Sequence, residues 1–167
     1  MSAVIVNACQ WIEGTAWSTG LRESIWAYPI IESLHVLTLC VFVGLTVVMD
    51  ARLVGLVLTG TPVSHVMGRL LPWIRSGFAV LVVTGVLLFM TTPVRFYGNV
   101  FFQLKMLFLL AAGINVWLFH RRWYPTVNEW GRANVPPRGA RVAGVVSLLL
   151  WVGIVTVGRL IAYNWFE

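Results

Sequence analysis

Four ionisable side chains stand inside long apolar runs of this sequence: Glu32, His35, Lys105 and Arg159. Each such group costs ~2.5–3.5 kcal/mol on insertion scales when it enters a bilayer, which makes these residues the first candidates for chemistry. An imidazole can ligate a metal or carry a proton. Fixed cations can hold an anionic group, and a carboxylate can orient the imidazole or relay a proton. One imidazole, two cations and one carboxylate in apolar surroundings suit haem b, with the iron on His35 and the negative propionates near Lys105 and Arg159. Glu32 or a backbone carbonyl is the candidate partner of the second imidazole nitrogen. Met90 and a neutral Lys105 are candidates for the sixth iron position, which can equally stay open. Plainer readings stand beside these. His35 can hydrogen-bond a neighbouring helix, and Lys105 and Arg159 can snorkel to an interface with no ligand at all.

The elements that position these residues are legible in the charge pattern. The chain has 167 residues, 59% hydrophobic and 11% charged, where soluble domains carry ~25% charge. Its mean hydropathy is +0.83. Disorder is excluded, and two cysteines without CxxC or Cys/His spacing give neither a disulfide scaffold nor a zinc site. No Lys, Arg, Asp or Glu occurs between Glu32 and Asp50, Arg75 and Arg95, Lys105 and Arg121, or Arg141 and Arg159. Each run is near the ~20 residues that cross a bilayer as a helix. The reading is an all-α, single-domain integral membrane four-helix bundle spanning 1–167, with helices at roughly 29–57, 73–92, 99–120 and 140–164.

Pro29, Gly60-Thr61-Pro62, Pro72, Thr92-Pro93 and Asn134-Val135-Pro136-Pro137 punctuate the ends. Trp11, Trp17, Trp26, Tyr28, Tyr97, Trp123, Tyr124, Trp130, Tyr163 and Trp165 lie near them, as an interfacial aromatic belt requires. Residues 5–25 and 62–71 are expected as short interfacial segments. Residues 1–20 lack a basic n-region and a long apolar h-region, so no signal peptide is expected.

The net charge of +6 points to anionic lipid head groups, not to nucleic acid, because the basic residues flank apolar runs. Arg52, Arg69 and Arg75 lie around the first connection, and Arg121, Arg122, Arg132, Arg138 and Arg141 around the third. The positive-inside rule then puts both termini outside, periplasmic in a bacterial cytoplasmic (inner) membrane. Asp50 and Arg52 are expected as an ion pair or cap at the inner face.

Depth brings the candidates together. His35 lies six residues after Pro29 and Lys105 six after Asn99, so both sit ~9 Å below their helix starts. Arg159 lies four residues before Tyr163 on a helix running the other way. Glu32, His35, Lys105 and Arg159 therefore share one layer in the outer half. On the first helix Glu32, His35, Leu39, Phe42, Thr46, Met49 and Asp50 form one stripe, and on the third Lys105, Leu109, Ala112, Val116 and His120 do, with Asn115 at its edge. His120 lies ~22 Å from Lys105 along the axis and, like His65, belongs to the inner side.

His35 is followed by Phe42, Gly44-Leu45 and Arg52-Leu53; Leu71-Pro72-Trp73 leads into Thr84-Gly85-Val86-Leu87; Phe101-Phe102-Gln103-Leu104-Lys105 leads on to His120. Over about 35–120 this pattern resembles the HemJ-type protoporphyrinogen oxidases, small bacterial membrane proteins carrying haem b. The resemblance implies that His35 matches the haem-associated histidine and Lys105 the essential lysine of a third-helix Trp-x-x-Lys motif. Here Phe101 or Phe102 stands where that Trp is usual, and the His35-to-Arg52 interval is one residue longer. From Leu21-Arg22-Glu23-Ser24 to Gly158-Arg159-Leu160-Ile161-Ala162-Tyr163 the chain looks closer to an uncharacterised bacterial family of four-helix membrane proteins.

Two classes of function follow. One is a b-type haem protein in electron transfer or a related oxidoreduction near the outer leaflet, with a quinone or porphyrin substrate or a redox partner, protoporphyrinogen oxidation being its narrowest form. The other is a cofactor-free structural or anchor subunit, homo-oligomeric or in a larger membrane complex. Metal transport is disfavoured by the low His and Met count. No GxSxG, P-loop or dinucleotide fingerprint occurs.

Overall fold

The computed structural model describes residues 3–131 and 136–163. Arg132, Asn134, Val135, Trp165 and position 164, the expected end of the fourth helix, lie outside the described residues. Within them every regular element is helical: α1 (Ala3–Glu13), α2 (Ala16–Glu23), α3 (Ala27–Val54), α4 (Val63–Thr91), α5 (Pro93–Gly98), α6 (Val100–Arg122), a 3-10 turn (Tyr124–Thr126), α7 (Val127–Trp130) and α8 (Arg138–Leu160). Helices α3, α4, α6 and α8 are long and apolar enough to cross a membrane. The protein is thus an all-α, multi-pass membrane bundle.

Three helix ends differ from the sequence expectation: the fourth span closes at Leu160 instead of 164, and the other two differ for a local reason. The first span stops at Val54, three residues short of the expected 57, because Gly55 adopts φ +93°, a left-handed conformation that glycine enters without strain. The Gly55 N–H bonds Arg52 O and the Leu56 N–H bonds Ala51 O, the two reversed bonds of a Schellman cap. The second span starts at Val63, not at 73. Pro72 lies inside α4 without ending it. A proline costs one backbone bond, to Gly68 O here, and in apolar spans that loss is tolerated. Residues 62–71 are therefore the first turns of a long membrane helix and not a separate interfacial element. The 29 residues of α4 rise about 43 Å, more than a ~30 Å hydrocarbon core needs, so the helix extends beyond it.

At the N-terminal end, α1 and α2 fold over the α4–α5 corner, as expected for residues 5–25. The Ser18 hydroxyl, fully buried, donates to Met90 O at 2.7 Å, and Glu13 Oε2 accepts from the Val94 N–H at 3.3 Å. Arg22 pairs with Glu13 at 3.7 Å. Trp11, Trp17 and Trp26 remain exposed on this surface.

The long helices form an arc. Helix α3 packs on α4 and α8, and α8 packs on α6, while no Cα of α4 comes within 8 Å of one in α6. The fourth side of the bundle is open at backbone level and bridged only by side chains. Phe89 of α4 stacks on Phe102 of α6 at 5.5 Å between centroids, with Phe96 of α5 against both. Below this, Phe42, Leu81, Ala112, Trp151 and Ile154 make a mid-bundle core. A second core at the other end gathers Met49, Leu53, Val63, Met67, Phe119, Val127 and Ala140.

Candidate functional site

His35 is on the second turn of α3, half-buried against α4. The stripe expected on α3 is largely the one that faces the bundle: Phe42, Thr46, Met49 and Asp50 are buried, whereas Glu32 is exposed. The seam on α6 is rotated from expectation. Ala112 and Phe119 are buried while Val116 is 50% exposed, so the inward line runs 105–108–112–115–119.

His35 Nδ1 lies 2.7 Å from Thr84 Oγ1. Thr84 is itself buried, and its single hydroxyl proton is directed to Val80 O at 2.7 Å. Two 2.7 Å contacts on one hydroxyl are both satisfied only if Thr84 donates to Val80 O and accepts from His35 Nδ1–H. That fixes the neutral ring as the Nδ1–H tautomer and leaves Nε2 with its lone pair. Among the described residues Nε2 has no hydrogen-bond partner. The ring's Cε1 edge rests on Gly85, where an added Cβ would stand 3.4 Å away.

Lys105 of α6 is the second member. Its stem crosses Gly158 of α8, where a Cβ would meet Cε and Nζ at 3.9 Å. Among the described residues its ammonium has no hydrogen-bond or ion-pair partner. One helix turn before Lys105, Phe102 belongs to the Phe89–Phe96–Phe102 stack, which roofs this layer.

The other expected members are not gathered here. Arg159 is exposed and turns to its own helix end, donating from Nη2 to Tyr163 Oη at 3.1 Å with its guanidinium 5.3 Å from that ring's centroid. Glu32 stands one turn from Tyr28, whose phenol senses both Glu32 and Arg95. It does not hold the imidazole; Thr84 does. Met90 lies about 120° around α4 from Thr84, and its backbone carbonyl serves Ser18. Thr84 was not given a role from sequence, although it is the one polar side chain between Ser76 and Thr91.

At the opposite end Asp50 and Arg52 do not pair. Asp50 reaches the Ser147 hydroxyl, and Arg52 donates from Nε and Nη2 to Thr61 O at 3.0 and 2.7 Å. Arg52 approaches the carbonyl of the connection because the Gly55 cap turns the chain back beneath α3. His120 bonds Val116 O and stacks on Tyr124 at the end of α6 opposite to Lys105.

No group of three or more His, Cys, Asp or Glu side chains able to hold a bare metal ion exists among the described residues. The donor set at His35 is of another kind. One imidazole with an available Nε2 and one amine without a counter-ion are groups that would suit a flat anionic macrocycle, the imidazole toward its metal and the amine toward a carboxylate. They do not supply a second axial ligand or a second propionate partner. No curated protein and no solved structure matches the chain. A family model does, over residues 22–164, and the chain belongs to that family, DUF6644, a family of unknown function.

Proposed function

We propose that the chain is a b-haem protein of the bacterial cytoplasmic membrane, acting in electron transfer or a related oxidoreduction near the outer leaflet. His35 would hold the haem iron through Nε2, and Lys105 would supply the counter-charge to a propionate. The observation that carries this reading is the His35–Thr84 bond at 2.7 Å. A partner on Nδ1–H sets the tautomer and raises the basicity of Nε2, the arrangement found behind metal-bound histidines. When bound, haem supplies one-electron oxidation and reduction. The protein's part is to hold the imidazole ring edge against Gly85, keep the Nδ1 proton on Thr84, and place an ammonium where a carboxylate needs one. The arginine distribution supports termini on the outer side. The HemJ-like reading of His35 and Lys105 rests on the sequence pattern and on their equal depth counted from the helix starts.

The test is the absorption spectrum of the full chain purified in detergent from haem-replete cells. A Soret band that shifts on dithionite reduction, and is lost in His35→Ala, supports the proposal. A colourless protein overturns it.

The same bond favours a second reading. A satisfied imidazole–hydroxyl pair also staples α3 to α4 in a cofactor-free membrane subunit. Under that reading the protein is colourless, and His35→Ala lowers its melting temperature while changing no spectrum.

A further inference from the structure

The arginine-rich end of the bundle carries more positive charge than its own carboxylates balance. From Asp50 to Tyr163 the sequence holds two acidic residues, Asp50 and Glu129. Arg121 and Arg122 end α6, and Arg138 and Arg141 lie in the first turns of α8. These two ends form one corner: the Gly139 backbone is pressed on the Trp123 indole, and the Arg122 guanidinium lies 5.9 Å from the centroid of that same ring. Arg121 sits 5.3 Å from the Trp117 ring centroid. Arg121, Arg122 and Arg138 are exposed, and Arg141 is half-buried with its Nε lacking a partner. Among the described residues the one side-chain ion pair is Arg22–Glu13, at the opposite end. Arg138 and Arg141 also lie at the positive pole of the α8 dipole, where cations are disfavoured.

Four guanidinium groups on one corner, two of them at the positive end of a helix, favour an external anion. The surroundings specify which. Trp117 and Trp123 mark the corner as a membrane interface, the depth at which lipid phosphates lie. We infer that the α6–α8 corner is a binding site for the phosphate of an anionic phospholipid, held there in preference to the lipids that merely surround the protein. The phosphate is bound by Arg138 and Arg141, and the Arg121 and Arg122 guanidiniums, steadied on indole faces, flank the headgroup. This inference does not depend on haem.

The experiment reconstitutes the full chain in vesicles of equal phosphatidylglycerol and phosphatidylcholine, extracts it in detergent, and counts retained lipids by native mass spectrometry. The wild type is expected to keep phosphatidylglycerol over phosphatidylcholine on the order of tenfold. Arg138→Gln with Arg141→Gln abolishes that preference, while Arg95→Gln, at the other end, leaves it intact. Equal retention of both lipids by the wild type overturns the site, as does a preference unaltered by the double substitution. If that variant does not fold, the wild-type melting temperature decides. A rise of roughly 3–6 °C in phosphatidylglycerol over phosphatidylcholine vesicles supports the inference, and no rise overturns it. An equal rise in detergent with inorganic phosphate overturns the lipid assignment in favour of a free anion.

Discussion

The two ends of the bundle are built to different tolerances. At the arginine-rich end Val63, Ala140 and Arg52 are fully buried. A Cβ on Gly144 would lie 3.1 Å from Asp50 O and 3.2 Å from Leu53 Cβ. The Val63 N–H donates to Gly131 O, tying the start of α4 to the end of α7. At the other end, glycines stand where there is room. Gly85 and Gly158 face His35 and Lys105 at 3.4 and 3.9 Å, ordinary van der Waals distances. There, phenylalanine rings join α4 to α6, which make no backbone approach anywhere along their length. Tight backbone packing fixes helix positions, whereas side-chain bridges can part for a ligand. The difference separates a folding anchor from a binding layer, and it can be attacked from both sides.

The largest effect is expected at the ligand itself. His35→Ala removes the only imidazole in the layer and should abolish the Soret band of the purified protein. Its helical circular dichroism should stay unchanged. Loss of both signals together would make His35 a structural residue and erase the contrast between the ends. Next in size is Gly144→Val. Forcing methyl groups into the α3–α8 crossing should cost about 1–3 kcal/mol in stability, read as a lower melting temperature. The absorption of any molecules that fold should be unaltered. A change in spectrum without a change in melting would invert the roles of the two ends.

Thr84→Val sharpens the picture at the binding layer. It keeps the shape and removes the acceptor for Nδ1–H. Loss of such an outer partner typically weakens metal binding by roughly 10–100-fold, so a haem titration should read a weaker, still measurable, association. Thr84→Ser, which retains the hydroxyl, should recover most of it. Equal affinity in wild type and Thr84→Val would mean that the 2.7 Å bond only joins helices.

How much of this was legible in the sequence follows from what a sequence can encode locally. The four spans are written as charge-free runs, and their centres need no tertiary information. Their ends depend on single residues. Gly55 looks like any glycine in an apolar run until the chain is seen to reverse there, and Pro72 looks like a stop although a membrane helix tolerates it. Depth is equally legible, because axial rise is a residue count, and counting put His35 and Lys105 at one height. Azimuth is not. Glu32 and Arg159 share that height, yet one stays exposed beside Tyr28 and the other folds back on Tyr163. Thr84 escaped for a related reason. A threonine in an apolar helix is satisfied by the carbonyl four residues earlier, as Thr84 is by Val80 O, and its second bond requires knowing which helix lies alongside.

The smallest expected effect tests that azimuthal distinction. Lys105 and Arg159 are both cations near the same height, and sequence gives no ground for ranking them. Geometry does: Lys105 is partly buried with its stem along Gly158, whereas the Arg159 guanidinium is exposed and engaged by Tyr163. Lys105→Gln should shift the midpoint of a redox titration and weaken haem retention, because a propionate loses its counter-charge in a medium that cannot supply another. Arg159→Gln should change neither, since an exposed cation contributes little through solvent or headgroups. The two variants compared in one redox titration separate a cation that faces the layer from one that merely shares its depth. Equal shifts in both would show that Arg159 leaves Tyr163 when a ligand is present, and the layer would then hold two cations.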